Sequence, residues 1–190
     1  MRYTTRMTIG IDISQIVFTG TGVAKYVEQM TKAIITFAPN NKYILFGASL
    51  RQQKKLHEFG EQFKKLSKNV LVVYVPIPPT ILDFLWNKLH IIPITWFTGH
   101  LDVFWSSDWT QPPIPKSTIG MTTIHDVSFL VYPESFPEII RTVQKRRLRF
   151  AKKECSLFLC DSQATKEDVV NKLHIPKEAC VVIYPGYTNT

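Results

Sequence analysis

Residues 7–37 open with Met7-Thr8-Ile9-Gly10-Ile11-Asp12-Ile13, pass through Ser14-Gln15-Ile16-Val17-Phe18-Thr19-Gly20-Thr21-Gly22, and continue through a run that stops before Pro39. The first part is apolar and β-rich, so 7–13 reads as a strand. Residues 23–37 read as a helix that opens after a glycine turn and ends before the proline, which disfavours helical backbone in the residue preceding it. Strand, glycine turn and helix form the opening unit of a parallel α/β fold.

The same alternation continues to the end of the chain. Residues 42–46, 70–75, 102–105, 118–124, 156–160 and 180–184 are short, rich in Val, Ile and Phe, and bounded by turn residues, as strands are. Between them, Leu56, Phe59, Phe63 and Leu66 recur at helical spacing within 50–66, as do Leu82, Leu85, Trp86 and Leu89 within 82–89. Over 138–154, Ile139, Ile140, Val143, Phe150 and Ala151 fall within roughly 120° on a helical wheel. Arg141, Lys145, Arg149 and Lys152 fall opposite. A last helix, 166–173, begins at Thr165-Lys166-Glu167-Asp168, with Thr165 as its N-cap and a carboxylate three residues on. These strands are nearly continuous hydrophobic runs, the pattern of a sheet covered on both faces. The expectation is a single α/β domain over 1–190: Rossmann-like, doubly wound, with a mainly parallel sheet and helices on both faces. The Pro-rich stretch 111–115 reads as a rigid loop within it.

Composition narrows the classes further. Hydrophobic residues make up 45% and charged residues 20% of 190, which fits a globular protein and excludes wholesale disorder. No apolar run approaches bilayer-spanning length, and no signal-peptide pattern opens the chain. The three cysteines, Cys155, Cys160 and Cys180, form no CxxC pair and sit in or beside apolar segments. Such cysteines behave as small hydrophobes and suit a reducing, cytoplasmic setting. The net charge of +8 favours anionic partners. No RRM, KH or helix-turn-helix pattern is present, so nucleic acid is not expected. Arg51, Lys54, Lys55, Lys64, Lys65 and Lys68 are either a solvated face or a peripheral contact with anionic membrane at about 1 kcal/mol per charge. Phe84, Trp86, Trp96, Phe97, Trp105 and Trp109 read as core rather than as a base-stacking platform, with Trp109 in a polar loop.

Two motifs carry candidate chemistry. Gly20-Thr21-Gly22 lies between the first strand and its helix, where backbone N–H groups approach an anion. It is not a dinucleotide fingerprint, because Lys25 stands where a third glycine belongs and the second strand ends at Gly47 rather than at an acid. A phosphate-approach loop and a simple tight turn both fit. The second motif is Thr123-Ile124-His125-Asp126-Val127-Ser128-Phe129, where an apolar strand stops at an imidazole beside a carboxylate. Ligands of open α/β sheets bind outside the carboxyl ends of strands. His125, with an ordinary pKa of about 6.5, could donate to a phosphate or sugar hydroxyl there. In the plainer reading, Asp126 caps a turn and His125 is a satisfied polar residue. His57, His90, His100 and His174 show no metal-ligand spacing, and no D-x-D pair is present.

In order and spacing, these residues resemble the N-terminal domain of retaining family-4 glycosyltransferases of the GT-B fold. The resemblance runs through Ile9-Gly10-Ile11-Asp12, Gly20-Thr21-Gly22-Val23-Ala24, Ser106-Ser107-Asp108 and 123–129. It continues in Tyr132-Pro133-Glu134-Ser135-Phe136, in 161–168 and in Val182-Ile183-Tyr184-Pro185-Gly186. It implies a nucleotide-sugar donor whose diphosphate meets the backbone at Gly20, Thr21 and Gly22. His125, with Asp126, would act near the anomeric carbon. Ser107, Asp108 and Trp109 would lie on the acceptor side, facing a glycan or lipid-linked acceptor. It implies no metal and no other cofactor. The family's donor-binding second domain would follow Thr190, so the 190 residues alone are expected to lack full transferase activity. The alternative is a non-catalytic basic module that binds anionic membrane or glycolipid.

Overall fold

The computed structural model describes residues 6–106 and 108–186. Among these, seven strands form one all-parallel sheet: β1 (Thr8–Asp12), β2 (Lys42–Ala48), β3 (Val70–Val75), β4 (Val103–Ser106), β5 (Ile119–Ile124), β6 (Cys155–Cys160) and β7 (Cys180–Val182). Their spatial order is β3-β2-β1-β4-β5-β6-β7. The helices are α1 (Gly22–Phe37), α2 (Gln53–Leu66), α3 (Pro79–Leu82), α4 (Thr95–Thr98), α5 (Ser128–Val131), α6 (Glu138–Glu154) and α7 (Gln163–Leu173). The fold is the expected doubly wound, Rossmann-like α/β architecture.

Side chains along each strand alternate between two cores, one on each face of the sheet. On one face, Ile11, Leu45 and Trp105 pack with Tyr26 and Val27 of α1 and Leu56 and Phe63 of α2. On the other, Ile44, Phe46 and Phe104 pack with Trp86, with Leu148 of α6 and with Val169 of α7. The strand order reverses between β1 and β4: the chain winds from β1 outward to β2 and β3, then from β4 outward to β7.

Several local expectations are corrected. β2 runs on through Gly47 to Ala48, and β7 ends at Val182 rather than at 184. α7 begins at Gln163, because Ser162 is its cap: the Ser162 Oγ accepts from the Thr165 N–H at 3.0 Å. Thr165 lies inside the first turn, buried, and donates instead to the His125 carbonyl at 3.1 Å. Residues 82–89 do not form one α-helix. After α3 the chain widens into a π-helix, Asp83–Lys88, closed by the Leu89 N–H to the Phe84 carbonyl at 2.9 Å. The wider turn puts Trp86 and Asn87 both in the interior. Trp105 and Trp86 are core, whereas Phe84 is 46% and Trp96 76% exposed. On α6, Ile139 is 73% exposed and Arg147 is 1% exposed, so the buried stripe is turned from the one its apolar residues suggest.

β5 approaches β6 closely at Gly120, where the register shifts. A Cβ there would sit 2.5 Å from the Glu154 carbonyl oxygen and 3.1 Å from the Cys155 Cα, both backbone atoms. Gly120→Ala is therefore expected to destabilise the domain by about 1–3 kcal/mol, the usual cost of overpacking. Urea denaturation checks this, and a midpoint unchanged from wild type would refute it.

Candidate functional site

A parallel sheet brings the carboxyl ends of its strands to one edge, and the crevice for a ligand opens where the winding reverses. Here that point lies between β1 and β4. The chain leaves β1 through a 3-10 turn, Ser14–Val17, and the Asp12 carboxylate accepts from the Ser14 N–H at 2.9 Å. It then turns at Gly20, whose φ of +90° belongs to the region that favours glycine. Thr21 caps α1: its hydroxyl accepts from the Ala24 N–H at 3.2 Å and donates to the Phe18 carbonyl at 2.9 Å. A cleft of about 390 Å³ opens beside this turn, lined by Gln15, Phe18, Thr21, Val23, Pro79, Asp108 and Trp109. Thr21 and the pair Asp108 and Trp109, assigned from sequence to opposite sides of a reaction, thus face one cavity. Gly20 and Gly22 line an adjoining depression of about 470 Å³ with Thr21 and Lys25. The lysine that breaks the dinucleotide fingerprint is thereby a cation beside the glycine turn. Ser107 lies outside the described residues.

The loop after β4 is held from behind by three interior side chains. Asn87, fully buried, donates to the Trp109 carbonyl at 3.0 Å and accepts from the Gln111 N–H at 2.9 Å. Gln144 of α6 donates to the Asp108 carbonyl at 3.1 Å. Arg147 donates to the Thr122 hydroxyl at 2.6 Å and the Thr123 carbonyl at 2.9 Å, and its guanidinium lies 3.5 Å from the Asp108 carboxylate. Burial raises the Asp108 pKa above its ordinary value, with Arg147 and then His125 opposing. Burial likewise lowers that of Arg147, with Asp108 opposing.

His125 follows the last residue of β5, and Asp161 follows the last residue of β6. Ile124 pairs with Cys160 in the parallel register, so the next residue on each strand meets its counterpart. The His125 Nδ1 and the Asp161 Oδ2 are 2.5 Å apart, and the ring stands edge-on to Tyr26 at 5.0 Å between centroids. Nδ1 thus faces the carboxylate, and Nε2 is the ring nitrogen that this contact leaves unengaged. Desolvation lowers the His125 pKa, but the Asp161 hydrogen bond and the charges of Asp108 and Asp161 outweigh it, so the net shift is upward. Burial lifts the Tyr26 hydroxyl to about 12.

Asp126 has a different place. It is exposed, and its Oδ1 accepts from the Ser128 N–H at 2.7 Å, capping the turn into α5. The carboxylate on His125 is Asp161, not its neighbour in sequence. Asp161, Arg147 and Asn87 were missed from sequence. Asp161 carried one signal, its position just past a strand end, which is also that of His125. Arg147 carried another: it falls four residues from both Val143 and Ala151 on the buried stripe.

The three cysteines are buried and free. Burial raises the thiols of Cys155 and Cys160 to about 12 and raises that of Cys180 as well, which leaves none poised as a nucleophile. Among the described residues, no group of three or more His, Cys, Asp or Glu could hold a metal ion, and no helix is long and apolar enough to cross a membrane.

No protein-family model and no curated protein matches the chain. A solved structure similar to it is a short-chain dehydrogenase from Oenococcus oeni PSU-1. The two share 9% identity at a TM-score of 0.38, over 100% of this chain and 84% of that one. A likeness at that level carries no argument about chemistry.

Proposed function

We propose that the chain is the acceptor-side half of a nucleotide-sugar-dependent, retaining glycosyltransferase, transferring a hexosyl group to a cell-surface glycan or lipid-linked acceptor. The observation that carries this reading is the convergence at the switch point. The glycine turn, Asp108 and Trp109 share one cleft, and the His125–Asp161 pair ends the strands alongside. The sequence resemblance runs through the same residues and agrees with it.

In this reading the acceptor hydroxyl attacks the anomeric carbon while the bond to the nucleoside diphosphate breaks. The leaving group departs with the bonding electrons, and the acceptor proton passes to its phosphate oxygen. The backbone at Gly20, Thr21 and Gly22, with Lys25 beside it, meets the developing negative charge. His125, charged more readily than an ordinary histidine, donates from Nε2 to a sugar oxygen. Asp161 holds the ring through Nδ1 and supplies the negative charge that favours the imidazolium. Trp109 offers an apolar ring to a sugar face. The reaction uses no metal.

Joined to a donor-binding Rossmann-like domain, the chain is expected to transfer sugar from a nucleotide donor. His125→Ala should then lower kcat by about 10²–10³-fold, the usual loss on deleting one transition-state donor, with the far-UV spectrum unchanged. Turnover that survives this substitution would sink the role given to His125.

A further inference from the structure

The segment that crosses from β3 to β4 and the helix beside it share a surface that the cleft does not use. Ile81, Phe84, Leu89 and Ile91 are exposed along this crossing, and Trp96 follows on α4. Large apolar side chains scattered singly on a surface are ordinary, but five within sixteen residues of one segment are not. The segment lies along α6. Asp83 lines a depression with Ile139, Thr142 and Arg146, and His90 stacks on Phe150 at 3.6 Å between ring centroids. His90 also meets the Glu154 carboxylate at 2.5 Å, which pins the far end of the segment to the end of α6.

One cation stands among these apolar tips, and α6 carries a row of others that also borders a depression with Phe129, Leu130 and Leu173 on its far flank. Lys88 stands 5.3 Å over the Phe84 ring, and α6 exposes Lys145, Arg149, Lys152 and Lys153, with Arg146 half-buried between them. The acids nearby are mostly engaged. Asp83 accepts from Asn87, and Glu154 is held by His90 and by the Ile114 N–H. Glu138, at the start of α6, lines the depression with Asp83, Ile139 and Arg146. The basic face of α2 differs, because Glu58 and Glu61 are interspersed with its lysines and Lys64 is paired to Glu61 at 2.8 Å.

We propose that this composite face, formed by residues 81–96 and α6, docks on the surface of an anionic phospholipid bilayer. A bilayer offers phosphates at the level of the lysine and arginine heads and hydrocarbon just beneath them for the apolar tips. Nucleic acid would satisfy the charges but provide no apolar layer for Phe84 and Ile139. An acidic protein would have to bring pockets for protruding side chains spread along two elements. The inference is independent of the glycosyl-transfer reading, and its readout is binding rather than turnover.

Sedimentation of the 190-residue chain with phosphatidylcholine vesicles, with and without phosphatidylglycerol, tests it. Binding is expected only to the charged vesicles and should weaken as salt is raised. Lys88→Glu with Arg149→Glu should lower partitioning by about 25-fold or more, at about fivefold for each basic residue lost. Phe84→Ser with Ile139→Ser should lower it by about tenfold or more. The control pair Lys54→Glu and Lys65→Glu on α2 should change it far less. All six side chains are exposed, so each variant is expected to keep the wild-type melting curve. Absence of binding to charged vesicles overturns the proposal. So does binding that resists Phe84→Ser with Ile139→Ser, which would mark adsorption of any polyanion, and so does binding lost only in the α2 pair.

Discussion

Arg147→Met is expected to lower the unfolding free energy by about 3–5 kcal/mol, the range seen when one partner of a buried charge network is removed. Its guanidinium is 1% exposed and ties α6 to β5 through the Thr122 hydroxyl and the Thr123 carbonyl. It also faces the carboxylate of Asp108. Methionine keeps most of the volume, so packing loss is small. What remains is a carboxylate without its counter-charge and a strand carbonyl without its donor, each costly to leave unmet. Urea denaturation reads the loss directly. Adding Asp108→Asn to Arg147→Met should recover part of it, because the uncompensated charge disappears; this is a double-mutant cycle with a predicted sign. A single variant within about 0.5 kcal/mol of wild type would show that the buried guanidinium contributes nothing net.

Asp161→Asn should lower the His125 pKa, read from the imidazole resonances in an NMR titration. Asparagine keeps the shape and can still accept from Nδ1, but it removes the negative charge that favours the imidazolium. The wild-type value lies above the ordinary one despite desolvation, because Asp161 and Asp108 outweigh burial and Arg147. The consequence for stability has a definite sign. A histidine whose folded pKa exceeds its unfolded value of about 6.5 adds stability that is fully present below that value. The contribution is lost as pH rises through the folded pKa. Wild type should therefore lose more stability than Asp161→Asn on going from about pH 6 to 8, and parallel pH profiles would overturn the assignment. In the joined enzyme, the same substitution should move the pH at which turnover declines downward with the His125 titration.

Much of the fold was legible because periodicity is local. Apolar runs such as 70–75 and helical spacing such as Leu56, Phe59 and Phe63 survive into the structure nearly unchanged. The exceptions are places where a distant partner overrides the pattern. Residues 82–89 widen into a π-helix whose interior Asn87 carries the loop after β4, twenty or more residues away. Thr165 looks like a cap, yet the cap is Ser162 and Thr165 serves the backbone of His125. Ile139 belongs to an apolar stripe by spacing and stands in solvent, because the face of α6 that packs is chosen by Arg147 reaching β5.

The candidate site divides along the same line. That His125 ends a strand and that glycines follow the first one are local facts, carried by residue type and spacing. That Asp161 and not Asp126 holds His125 follows from the parallel register of β5 and β6, and that Thr21 shares a cleft with Asp108 follows from the placement of β1 beside β4. No single window of sequence contains either pairing. Each arises only when strands far apart in the chain are laid side by side, and their neighbours are chosen by burial of the whole sheet rather than by the residues at its edge.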